Sequence, residues 1–64
     1  MNYYIEYLRK DSNEWQMLRG ITVEYFETFG DAIEELEKIM ADKFILEGRI
    51  CRTYTGGIVY RMER

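Results

Sequence analysis

The spacing of apolar and polar positions divides the chain into three zones. Asn2 to Leu8 reads as a strand, with Tyr3, Ile5 and Tyr7 facing one way at the two-residue period of a half-buried strand. Asp11, Ser12 and Asn13 make a turn, because all three side chains compete locally for backbone hydrogen bonds. Glu14 to Leu18 then returns as a second strand. Ile21, Val23 and Tyr25 alternate again, so over residues 14–26 Gly20 is either a bulge within one long strand or a break between two.

The middle zone changes period. Phe29, Ala32, Ile33, Leu36, Ile39 and Met40 follow the i, i+3, i+4, i+7 spacing of a single buried stripe, which predicts a helix from about Phe29 to Lys43. The opposite face carries Asp31, Glu34, Glu35, Lys38 and Asp42. Thr28 is the expected N-cap. Asp31, three positions on, is a shorter-armed counterpart of the Glu in a capping box and suits the positive end of the helix dipole. Phe26 is placed to pack back on the first turn.

The last zone is a hairpin. Arg49 to Tyr54 and Ile58 to Glu63 are rich in β-formers and flank Thr55-Gly56-Gly57. A three-residue loop pairs Tyr54 with Ile58, Arg52 with Tyr60 and Ile50 with Met62 on one face. The other face then shows Arg49, Cys51, Thr53, Val59, Arg61 and Glu63. A two-residue Gly56-Gly57 turn would instead group Arg49, Cys51 and Thr53 with Ile58, Tyr60 and Met62. The first register is preferred for its cleaner apolar face, with Arg52 as its one misfit. The expected architecture is a single α+β domain over residues 1–64. Its layout is ββαββ, an antiparallel four-stranded sheet with one amphipathic helix packed on one face.

Composition supports a domain held by its core alone. A chain of 64 residues buries only roughly 60% of its unfolded surface, so it needs large apolar groups. Six Tyr, three Phe, one Trp and four Met supply them. The single cysteine, Cys51, rules out an internal disulfide and suits a reducing compartment. Met1-Asn2-Tyr3-Tyr4 lacks the basic and apolar segments of a secretory leader, and no apolar run outlasts Phe44-Ile45-Leu46. The expected location is cytoplasmic, with no membrane contact.

Catalysis fails on inventory. The chain has no His, so it lacks the usual general base at neutral pH and the commonest transition-metal ligand. Cys51 has neither a CxxC companion nor a His to activate it, and reads as a small structural residue. No phosphate-cradle or nucleophile-elbow motif is present, and no helix start follows Gly56-Gly57. Glu34, Glu35 and Glu37 lie on a solvated helix face rather than in a walled cleft. Asp11-Ser12-Asn13-Glu14 offers oxygen ligands without the spacing of a calcium loop. The expectation is therefore a non-enzymatic protein with no cofactor and no metal.

Charge divides unequally along the chain. Residues 24–47 hold eight acids against two lysines, a net of −6, and residues 48–64 hold four arginines against one acid, a net of +3. Much of such a division is ordinary surface solvation. Beyond that, two functional readings compete. In the favoured one, Asp31, Glu34, Glu35 and Glu37 form an anionic face that docks on a basic protein surface, presenting carboxylates where phosphates would lie. In the alternative, Arg49, Arg52 and Arg61 neutralise nucleic-acid phosphates while Tyr54 or Tyr60 stacks on bases. A whole-chain charge of −3 ranks the second reading below the first.

The opening Tyr3-Tyr4-Ile5-Glu6-Tyr7, Trp15 after a polar turn, the run Phe26-Glu27-Thr28-Phe29-Gly30-Asp31-Ala32-Ile33 and the closing Ile58-Val59-Tyr60 together resemble small orphan proteins of phages and mobile elements. Some of these are anti-CRISPR or other host-factor inhibitors. The resemblance implies a stoichiometric inhibitor of a host protein; it carries no functional residues over and names no target. Both a monomer and a homodimer fit the sequence.

Overall fold

The computed structural model describes residues 2–18 and 24–64. It is an α+β domain of one helix and an antiparallel sheet, with elements in the order β1 (Tyr3–Arg9), β2 (Trp15–Met17), β3 (Tyr25–Phe26), α1 (Phe29–Met40), β4 (Ile45–Arg52) and β5 (Ile58–Glu63). Among the described residues the sheet has five strands rather than the four expected. Its order is β2-β1-β4-β5, and β3 also pairs with β1.

The fifth strand arises from residues 14–26. Met17 lies opposite Glu6, and Tyr25 lies opposite Tyr4, so β2 and β3 follow one another along the same edge of β1. The described residues of this stretch supply two short segments. Gly20, Ile21 and Val23, on which the choice between bulge and break turns, lie outside the described residues. The other edge of β1 pairs along its whole length with β4, from Tyr3 opposite Arg52 to Arg9 opposite Ile45.

The helix forms where its stripe predicts, and all six stripe residues enter the core. Thr28 is extended and its Oγ1 accepts the Asp31 N–H at 3.2 Å, satisfying one of the donors left open at a helix start. The helix ends at Met40, short of Lys43. Asp42 explains the stop, because its carboxylate accepts the Phe44 N–H at 2.9 Å and its carbonyl accepts the Ile45 N–H at 3.1 Å, a local turn that competes with helix. Arg64 reinforces that end. Its guanidinium donates to the carbonyls of Met40, Asp42 and Ile45, placing a cation at the negative end of the helix.

Ile5, Ile50, Leu36 and Ala32 are fully buried between α1 and the sheet. Phe29 is wedged edge-on between Tyr3 and Tyr60, with ring centres 5.8 and 5.7 Å away. Gly48 lets the helix approach the sheet closely, since a side chain there would run into Leu36 Cδ1 and press on Met40 Sδ.

The hairpin register differs from the expected one. Ile50 faces Tyr60 and Gly48 faces Met62, where the three-residue loop pairs Ile50 with Met62. The first strand begins at Ile45, not Arg49, and a bulge at Ile50/Cys51 precedes the turn. The turn is longer than three residues: Gly56 takes a φ of 72°, its N–H reaches the Arg52 carbonyl at 2.8 Å, and the Arg52 N–H reaches the Gly57 carbonyl at 2.9 Å. Tyr54 is left in the turn, 86% exposed. As far as Ile50 and Tyr60 the slip is of two residues and the faces are unchanged, but beyond the bulge Cys51 lies opposite Ile58, the pairing of faces that the two-residue turn gives. Ile50, Tyr60 and Met62 still face the helix, while Arg49 and Arg61 lie opposite one another on the far side.

Candidate functional site

Helix geometry places the four acidic candidates on the outward arc of α1, away from Ala32 and Leu36. Asp31, Glu34 and Glu37 are exposed and Glu35 is half-buried. None of the four forms an ion pair among the described residues. Lys38 lies among them, one turn on from Glu34, so the arc as a whole remains strongly negative.

The arginine candidates behave differently. Arg49 is half-buried on the helix-free face of the sheet, where its Nε donates to Glu6 Oε1 at 2.7 Å. Its guanidinium lies 3.8 Å above the centre of the Trp15 ring, an orientation that favours the cation. Arg61 pairs with Glu47 at 3.4 Å on the same face. Arg52 sits at the end of β4, exposed, 6.0 Å from the centre of the Tyr3 ring. Tyr60 is packed on Phe29 in the core, and Tyr54 projects from the turn. The structure therefore brings Arg49 and Arg61 together but spreads Arg52, Tyr54 and Tyr60 over other parts of the hairpin.

A polar cluster that sequence reasoning missed surrounds Arg49. Cys51 is 1% exposed, and its thiol donates to Glu6 Oε1 at 3.6 Å. Burial pushes the Cys51 thiol up, and the neighbouring Glu6 carboxylate adds to this. Burial likewise raises the Tyr4 phenol, with Cys51 and Glu6 contributing. A thiol held in its protonated form is a poor nucleophile, so this cluster braces the sheet rather than offering a reactive group. Glu6 alternates with Ile5 and Tyr7 in the sequence. Its only visible signal was a carboxylate on the polar side of a strand.

A shallow cavity of about 260 Å³ lies between the C-terminal half of α1 and β1, bordered by Tyr7, Arg9, Lys38 and Asp42. Arg9 is already engaged by Asp11 at 3.1 Å, which also holds the Asp11 carboxylate below its ordinary range. No group of three or more potential metal ligands occurs among the described residues. No helix among them is long and apolar enough to cross a membrane. Comparison with protein-family models, curated proteins and solved structures gives no match.

Proposed function

We propose that this protein is a non-catalytic binding module that docks the acidic face of α1 on a basic surface of a partner protein. Asp31, Glu34, Glu35 and Glu37 provide the contact. Occupying a surface that otherwise receives phosphates or acidic side chains makes the domain a stoichiometric inhibitor of a host factor. The observation that carries this reading is the contrast in how the two charge groups are used. The helix carboxylates have no ion-pair partners among the described residues, whereas the guanidinium groups of Arg49, Arg61 and Arg64 each contact a carboxylate or carbonyl of the same chain. That of Arg52, alone among the hairpin's arginines, contacts neither among the described residues. Charge left uncompensated at the surface is what steers a partner of opposite sign.

The test is affinity capture from host lysate, with and without nuclease, using the parent and a Glu34→Gln, Glu35→Gln, Glu37→Gln variant. Each exposed substitution is expected to change stability by no more than about 0.5 kcal/mol. The partner should survive nuclease, bind the variant more slowly, and lose much of its salt dependence. Capture of nucleic acid alone, abolished by Arg52→Ala and untouched by the glutamate changes, would replace this reading with the nucleic-acid one.

A further inference from the structure

The sheet ends differently on its two sides. Among the described residues, one edge consists of β2 and β3, of three and two residues, and short edge strands discourage pairing with other chains. The other edge is β5, six residues long and without proline, and among the described residues its outer side has no partner. Antiparallel pairs alternate between bonded and non-bonded positions. Since Arg64 N–H bonds the Leu46 carbonyl, with Met62 opposite Gly48 and Tyr60 opposite Ile50, these three residues point their backbone groups at β4. Arg61 and Glu63 then point theirs outward.

Their side chains lie on the helix-free face, both exposed. Glu63 sits directly across from Glu47, whose carboxylate is taken by Arg61. Glu63 itself has no cation among the described residues. A strand carrying Arg61 and Glu63 two positions apart is complementary to its own antiparallel copy. We infer that the protein forms a homodimer by antiparallel pairing of β5 with the β5 of a second copy, in the register centred on Met62. There Arg61 of each copy faces Glu63 of the other, twice over, and about four backbone hydrogen bonds close between the outward-pointing groups. Sliding two residues one way sets Arg61 against Arg61, and two residues the other way sets Glu63 against Glu63. Charge thus selects one register and disfavours its neighbours. This inference is independent of the acidic-face reading.

The experiment is sedimentation equilibrium from about 10 µM to 1 mM, a range suited to a contact smaller than standard interfaces. The parent is expected to shift from monomer to dimer across it. Glu63→Arg places two arginine pairs in contact and should weaken the dimer by about tenfold or more. The swap Arg61→Glu with Glu63→Arg restores both cross-copy pairs. The arginine it introduces also faces Glu47 within the chain, so dimerisation should return. In the parent, amide exchange at Arg61 and Glu63 should slow as concentration rises, a readout that needs no variant. A parent that stays monomeric throughout, a dimer indifferent to Glu63→Arg, or a swap that fails to restore it would each overturn the inference.

Discussion

The two faces of the sheet are built from alternate residues of the same strands, yet different interactions hold them. Toward α1, Ile5 and Ile50 are buried against Leu36 and Ala32, and Phe29 packs between two tyrosines. That attraction is non-directional and scales with apolar area, at about 25 cal/mol per Å². On the other face, Glu6, Arg49, Trp15 and Cys51 meet through directed contacts, the ion pair at 2.7 Å and the cation over the ring at 3.8 Å. The apolar face would survive a slip of two residues between β1 and β4, because the same side chains would still point inward. The polar face would not, since Glu6 would lose Arg49. One face decides that the domain folds, and the other selects the register in which it does.

The comparison can be broken from either side. Leu36→Ala should cost about 2–5 kcal/mol, read by urea or thermal unfolding, because it empties a fully buried site. Gly48→Ala should cost about 1–3 kcal/mol by forcing Leu36 aside. Combined with Leu36→Ala, the same change should cost much less, and strict additivity would show that the helix does not approach the sheet there. Arg49→Ala should cost about 1–2 kcal/mol, held down by the fifth of each side chain that solvent still reaches. Glu6→Gln added to it should recover part of the loss, by removing the carboxylate left without a counter-charge. The smallest effect is on pH dependence. The folded Cys51 keeps its proton above the ordinary thiol value of about 9.0, so the unfolded chain loses it first as pH rises. This contribution is complete below that value and disappears as pH climbs through the raised one. Cys51→Ala should flatten the decline in stability at alkaline pH without removing it, since Tyr4 is shifted the same way. Alkylation of the parent thiol at neutral pH should be slow.

The helix was legible in the sequence because its determinants are local: a stripe at helical spacing and a Thr28–Asp31 cap three residues apart. The partition of the hairpin into faces was legible for the same reason as far as Ile50 and Tyr60, and failed beyond the bulge, where Cys51 meets Ile58. Its register was not, because the apolar pattern repeats every two residues and Gly48, which marks the closest approach of α1, carries no side chain to reveal its role. The acids of α1 were visible as a run in one helix. The occupancy of the arginines was hidden, since Arg49 finds Glu6 across 43 residues of chain and Arg64 finds the helix end across 24. Long-range pairing of strands sets those partners, and no local pattern encodes it.

Strand β1 lies inside the sheet, yet it precedes β2, β3, α1, β4 and β5 in the chain. Its longest partner, β4, lies beyond two short strands and a helix. As the polypeptide is synthesised, β1 meets β2 before β4, and a two-stranded hairpin is marginal in water. The twelve-residue helix is marginal on its own as well. Neither commits the chain, so the sheet's longest pairing forms only when β4 closes a long loop, which slows folding. Through that interval β1 carries Tyr3, Ile5, Tyr7 and Leu8 on an unpaired strand, the species most prone to join a neighbouring nascent chain.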